Sequence, residues 1–378
     1  MNLLEQLQNA GIPYTENEPM SRRTTFGIGG PALLLHPRTR TQLQTAVSLC
    51  RAAGTDPFIL GRGSNLLVSD SGIARPVIQL DGDFTAISRQ GNTLRCGAGA
   101  SLIATCRAAA ENSLSGLEWG FGIPGSLGGG VYMNAGAYGG ELRDVLTEVT
   151  FLDEAGEYRT LPAAALELSY RHSIFEERPG CVIVEAVLTL TPGEETAIRA
   201  AMEDYMSRRR EKQPLEYGSA GSTFKRPVGN YASALVDQCG LKGLSVGGAE
   251  VSQKHAGFII NRGGATAADV RQLIAEVQRI VREKTGYTLE CEIKYIERAS
   301  AGCGGCPFAH PCGLCPPRPP APTVPPRCGT AVKMNAGCAP SLTGISPPCV
   351  GQEPACGRPL PSPIFPRPPP KIHPITGE

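Results

Sequence analysis

The chain has 378 residues, enough for two or three domains with separate buried cores. Its 36 basic and 35 acidic residues nearly cancel, which argues against a nucleic-acid partner or a polybasic membrane face. No apolar run reaches the roughly 18 residues of a membrane span.

The N-terminal MNLLEQLQNAGIPYTENEPM lacks a basic n-region and an A-x-A cleavage site. It reads as an amphipathic helix and not a signal peptide, so a cytoplasmic protein is expected. ALLLHP is a short apolar run ended by Pro37. TQLQTAVSLCRAAG has the helical spacing of Leu43, Ala46, Val47 and Cys50, with Thr41 as N-cap and Gly54 as stop. PFILGRGSNLLVSD reads as a buried strand, a Gly-rich turn and a second apolar run. PVIQLDG, TAISRQGNTLRCGAG and SLIATCRAAAENS follow as strand, hairpin and helix. EVTFLDEAGEYRTL is a hairpin turning at Ala155-Gly156, and CVIVEAVLTLTPG an alternating strand.

From about residue 193 the texture changes. ETAIRAAMEDYMSRRREKQP predicts a helix ended before Pro214, followed by the Gly-rich GSAGSTFKRP, a helix NYASALVDQCGLKG and a strand AGFIIN. GATAADVRQLIAEVQRIVREKTG predicts a long helix stopping at Gly286, and TLECEIKYIE a closing strand. Hairpins mixed with helices indicate an α+β fold and not a regular βαβ repeat. Six cysteines scattered over residues 1–298 have the pattern of reduced structural thiols.

The loop from Gly120 to Gly125 spells G-x-G-x-x-G, the lettering of a dinucleotide-binding turn. ENSLSGLEW before it contains no β-branched run, and Pro124 lacks an N–H where amides should meet phosphate, so that fold is rejected. Dense small residues still allow close backbone approach to a flat ligand and positive-φ amide nests for an anion. Gly61, Gly63, Ser64 and Asn65 offer a second such place, which points to a large cofactor with a pyrophosphate lying between two lobes.

Six motifs now coincide in order: RRTTFGIGGPA (22–32), ILGRGSNLLVSD (59–70), GIPGSLGGGVYMNAGAYGGE (122–141), SYRHSIF (169–175), GSTFKRP (221–227) and LECEIKYI (289–296). Over about residues 1–298 the chain resembles the UDP-N-acetylenolpyruvoylglucosamine reductase family, flavoenzymes of peptidoglycan synthesis. Only EERPG separates SYRHSIF from the next strand, so it is similar to the shorter form lacking the tyrosine-loop insertion.

The resemblance implies an N-terminal helix at 1–20 and a two-lobed FAD-binding domain of the vanillyl-alcohol oxidase and p-cresol methylhydroxylase type at 21–192. The lobes fall at about 21–80 and 81–192, and a smaller α+β substrate-binding domain occupies 193–298. It implies non-covalent FAD, NADPH as reductant and a nucleotide-sugar substrate; the charge balance gives no nucleic-acid or membrane partner, and a monomer is the expectation although the sequence does not give the oligomeric state. The expected reaction reduces an enolpyruvyl ether to a lactyl ether, UDP-N-acetylmuramate. Ser222 matches the family's proton donor, with Lys225 expected nearby to stabilise the alkoxide. Arg171 matches the arginine that binds and polarises the substrate carboxylate. Glu292 matches the catalytic glutamate; by strand alternation Glu290 shares its face, so only the resemblance selects between them.

Expected cofactor contacts are Gly61, Arg62, Gly63, Ser64 and Asn65 in one loop. In the other they are Gly122, Pro124, Gly125, Ser126, Gly128, Gly129, Asn134, Ala135 and Gly136. Tyr132, Lys212, Lys225, Tyr231 and His255 are expected substrate contacts, against an ordinary hydrogen-bonding role for a lone histidine. A flavin-dependent alcohol oxidase on the same cofactor fold, or a non-catalytic nucleotide-sugar-binding relative, are the alternative readings.

Residues 299–378 hold eight of the 14 cysteines and 21 of the 33 prolines. Pro-rich stretches such as PSPIFPRPPP predict disorder. Cys303, Cys306, Cys312 and Cys315 form C-x2-C-x5-C-x2-C, the alternative being zinc or an iron–sulfur cluster, though the gap is short for a zinc ribbon.

Overall fold

The computed structural model describes residues 2–298. The cysteine quartet and the expected disorder of the tail lie outside those residues. Seven α-helices run in chain order: α1 (Leu3–Asn9), α2 (Arg40–Ala52), α3 (Leu102–Glu111), α4 (Leu127–Tyr132), α5 (Glu195–Lys212), α6 (Ala232–Gln238) and α7 (Ala267–Thr285). The N-cap of α2 is Thr39, whose hydroxyl accepts from the N–H of Gln42, and not Thr41 as expected. In α7 the Thr266 and Asp269 side chains form a capping box and Gly286 closes the helix at φ 77°. Its buried Val270, Leu273, Ile274, Val277 and Val281 make one apolar stripe.

Two sheets build the larger part. The first is mixed, in the order Tyr14–Pro19, Pro31–Leu35, Val77–Gln79, Phe58–Leu60. The strand Tyr14–Pro19 escapes a sequence reading because its first residues are polar and largely exposed. The second sheet is antiparallel, in the order Tyr158–Pro162, Leu146–Leu152, Val182–Thr189, Thr93–Gly97, Ile87–Gln90. Val182–Thr189 does not alternate as expected. It is the central strand and is buried on both faces, with α4 packed against it. The principal core runs from Leu7 and Leu43 through Trp119 and Phe151 to Ile198 and Met202 of α5.

A third sheet, Gly218–Ser222, Phe258–Asn261, Ala249–Val251, Ser245–Val246, packs on α6 and α7 around a second core that also takes in Phe26, Ile28 and Leu67. The closing strand is shorter than expected: only Lys294–Ile296 is regular, lying parallel to Leu66–Val68. The reason is a change of partner. Upstream, the 290–292 backbone bonds Thr223 and Lys225; from Lys294 onward the partner begins at Asn65. Glu290 and Glu292 both lie on the stretch that bonds 223–225, before the partner changes.

Candidate active site

The loop Gly61–Asn65 joins two short strands and lies against the loop leading into α4. A Cβ on Gly61 would stand 2.5 Å from Ser126 Oγ, and one on Gly125 would stand 3.6 Å from Ser64 Oγ. Gly63 has φ 62° and a Cβ there would fall 2.1 Å from the Arg23 carbonyl, so only glycine fits. Ser126 caps α4 by accepting from the Gly129 N–H at 3.2 Å. Before this loop comes the 3-10 turn Glu118–Gly120, preceded by only the two-residue strand Leu114–Ser115, consistent with rejecting the dinucleotide turn.

Among the described residues, the N–H groups of Arg62, Gly63, Ser64, Gly125 and Ser126 donate to no protein acceptor. Unpaired amides converging between two glycine-rich loops suit the pyrophosphate of a large cofactor. Arg209 adds a feature that sequence reasoning missed. Its side chain packs on Gly122, which has φ 94°, and its Nε is buried without a partner. Burial lowers the pKa of this guanidinium. Its Nη1 reaches Gln213 Oε1 at 3.5 Å and the guanidinium lies 5.4 Å from the Tyr138 ring centroid, so Nε is the buried donor of this group left over beside the loop, and it fits an anionic group such as the pyrophosphate of FAD.

Four of the expected cofactor contacts have other work. Asn134 is 0 % exposed, and its amide donates to Glu141 at 2.7 Å and to the Ser169 carbonyl at 3.1 Å while accepting from the Arg143 N–H at 3.0 Å. Both amide protons are thus taken, and Asn134 supports the 169–172 turn. Gly128 is needed for packing, since a Cβ would meet Ala98 Cβ at 2.8 Å. Ala135 is buried and bonds Gly130 and Leu142 through its backbone. The Gly136 carbonyl faces Arg171 Nη2 at 3.5 Å.

The turn that Asn134 supports carries the arginine. Ser169 and His172 exchange backbone hydrogen bonds, each at 3.2 Å, which puts Tyr170 and Arg171 at the tip. Arg171 takes φ 57°, rare for a residue with a side chain. Its Nε donates to Glu292 Oε1 at 2.5 Å, in an ion pair whose partners are mostly enclosed, and its guanidinium lies 5.0 Å from the Tyr170 ring centroid. Glu292 is itself pinned by its backbone. Its N–H donates to the Thr223 carbonyl at 2.9 Å, and its carbonyl accepts from Asn65 Nδ2 at 3.1 Å. Asn65 of the first glycine loop thus holds the glutamate in place.

Glu290 and Glu292 part company here. Glu290 is solvent-exposed and pairs with Lys225 Nζ at 2.6 Å, whereas Glu292 is 8 % exposed and meets Arg171. The Lys225 ammonium is therefore held by Glu290 and is not free beside Ser222, as expected from spacing. Burial lowers the Lys225 pKa, but the bond to Glu290 and the charges of Glu176 and Glu292 outweigh it and hold the value above the ordinary one. Ser222 is exposed at the end of its strand, next to Thr223, and paired in register with Phe258.

Of the other expected substrate contacts, Tyr132 lies close to this cluster. Burial, assisted by the Glu176 charge, pushes its hydroxyl up to about 12. Tyr231 is exposed with the Arg226 guanidinium 4.6 Å from its ring centroid, and the Arg226 N–H donates to the Tyr170 hydroxyl at 3.3 Å. His255 accepts from the Gly257 N–H at 3.1 Å through Nδ1 and packs edge-on against Phe258. Burial lowers its pKa, so the ring is neutral at pH 7. Lys212 is exposed at the end of α5. The described residues contain no cluster of three metal-ligating side chains.

Known proteins resemble this chain. Residues 31–162 match the FAD binding domain, and residues 213–296 match the C-terminal domain of UDP-N-acetylenolpyruvoylglucosamine reductase. The reductase of Clostridium perfringens (strain SM101 / Type A) is 46 % identical over 285 residues, 75 % of this chain and 93 % of that one. The chain belongs to the UDP-N-acetylenolpyruvoylglucosamine reductase family. The family member of Syntrophomonas wolfei is 47 % identical over 281 residues, 74 % of this chain and 94 % of its own. The crystal structure of the Thermus caldophilus reductase superposes with a TM-score of 0.66 at 37 % identity, covering 75 % of this chain and 99 % of that one. As a member of this reductase family the chain is an FAD-dependent oxidoreductase, with the α+β fold and FAD-binding domain expected from its motifs.

Proposed function

We propose that the chain reduces UDP-N-acetylglucosamine enolpyruvate to UDP-N-acetylmuramate with NADPH, and that Arg171, Glu292 and Ser222 carry the substrate half of the reaction. FAD, which loops 61–65 and 122–126 would hold, would supply hydride transfer from NADPH to the β-carbon of the enolpyruvyl group. The protein must then hold the substrate carboxylate, accept the charge that builds on it, and protonate the α-carbon. Arg171 supplies a planar fork for the carboxylate. Glu292, enclosed beside it, orients that fork and stabilises or protonates the enol form. Ser222, exposed at the end of its strand, gives the α-carbon proton.

The observation that carries this reading is the Arg171–Glu292 pair: two motifs 121 residues apart meet at 2.5 Å, with the arginine in an unfavourable backbone conformation. We assign cofactor binding to residues 21–192 and substrate capping to 193–298, with α5 packed on the cofactor core as the chain passes into the cap. Within the cofactor domain, loops 61–65 and 122–126 hold FAD without a covalent bond. The substrate half then lies between Tyr132, Tyr231, His255, Lys212 and the Arg171 turn. The use of NADPH and a nucleotide sugar supports a cytoplasmic reaction.

Purified protein should be yellow, bleach with NADPH under anaerobic conditions, and regain its colour on addition of the enolpyruvyl nucleotide. A flavin-free protein, or reduced flavin indifferent to that nucleotide, would sink the reading.

A further inference from the structure

A second contact joins the two segments that carry Arg171 and Glu292. Lys294, two residues beyond Glu292, ion-pairs with Glu176, five residues beyond Arg171. The other carboxylate oxygen of Glu176 faces His172 Nδ1 at 3.1 Å. The contacts close a ring: Arg171 to Glu292, along the chain to Lys294, across to Glu176, back to His172, and so to Arg171. Lys294 is tied to the cofactor side as well, since its N–H donates to the Asn65 carbonyl at 2.9 Å. Ser173, in the same turn, donates its hydroxyl to the Tyr132 carbonyl at 2.6 Å.

Charge explains what the ring is for. Burial raises the Glu176 pKa, but the hydrogen bonds from Lys294 and His172, with the charges of Lys294 and Lys225, outweigh it and keep the carboxyl below its ordinary value. An ionised Glu176 therefore occupies the Lys294 ammonium. Without it, a lysine two residues from Glu292 has no partner of its own and is free to turn to that carboxylate. The Arg171 turn, at φ 57°, would at the same time lose the tether through His172.

We propose that Glu176 is a positioning residue for the substrate half-reaction: it fixes the turn that carries Arg171 and keeps Lys294 from competing for Glu292. This rests on the roles given to Arg171 and Glu292 above. The test uses full-length holoprotein and follows flavin absorbance in single turnovers. Glu176→Gln should be reduced by NADPH within about twofold of the parent rate, while its reoxidation at saturating enolpyruvyl nucleotide slows about tenfold, the scale on which groups orienting a primary contact act. Adding Lys294→Met to Glu176→Gln should restore the part of the loss due to the competing ammonium, several-fold of the tenfold. Unchanged reoxidation in Glu176→Gln, equal slowing of both half-reactions, or no recovery in the double variant would overturn the role. A parent protein that the nucleotide fails to reoxidise would overturn the function itself, and this role with it.

Discussion

Arg171 adopts a left-handed backbone conformation at φ 57°, where glycine would be free of strain. For an L-residue such a conformation costs roughly 1–2 kcal/mol. The side chain accounts for its retention: only an arginine there reaches Glu292 and still presents a flat pair of donors. Arg171→Lys keeps the charge and the strained turn but loses the fork. Substrate kcat/KM should fall by about tenfold or more, consistent with a loss of 1–2 kcal/mol from a bidentate contact, while flavin reduction by NADPH stays near normal. Similar losses in both half-reactions would contradict the assignment. Gly63 makes the complementary case, in which no side chain is tolerated. Gly63→Ala puts a methyl 2.1 Å from the Arg23 carbonyl at φ 62°. It should be isolated with little bound flavin and be destabilised by more than about 1 kcal/mol, read from flavin content and urea unfolding.

At the scale of elements, periodicity served helices better than strands. The length of α7 and its stop at Gly286 were legible because those signals lie within the helix itself. Thr266→Ala removes the N-cap of that helix and should lower the melting temperature by an amount equivalent to about 1 kcal/mol; no change would mean that Asp70, whose carboxylate also accepts from the Ala267 and Ala268 N–H groups, suffices alone. The strands Ser245–Val246 and Ala249–Val251 are too short to show alternation, and Val182–Thr189 is enclosed on both faces. The segment 289–296 was misread as one strand because its partner changes within it. Hence spacing left Glu290 and Glu292 equivalent, and only their surroundings separate them. The motifs named Arg171, Ser222 and Glu292, but not the clamp: Glu176 and Lys294 are 118 residues apart, and neither lies in a pattern that implies the other. Nor does the sequence reveal that the buried Asn134 amide supports the Ser169 turn, since that contact joins segments 35 residues apart.

Across the whole molecule the thiols report how tightly the main core is closed. Burial pushes Cys96 and Cys106 up to about 12 from an ordinary 9.0. Because the folded values exceed the unfolded one, these groups stabilise the fold below about pH 9, and that contribution is lost as pH rises towards 12. Alkylation at pH 8 followed by mass mapping should leave Cys96 and Cys106 unmodified until denaturant is added; rapid labelling of both in native protein would show an open core.

The central claim is that Ser222, Arg171 and Glu292 form a site for substrate reduction beside an independently competent flavin. Single-turnover absorbance of Ser222→Ala under anaerobic conditions tests it most directly. NADPH should bleach the flavin at nearly the parent rate, and the enolpyruvyl nucleotide should reoxidise it at least about a hundredfold more slowly, the scale of a lost general acid. Reoxidation at the parent rate, or equal slowing of both steps, would contradict the account.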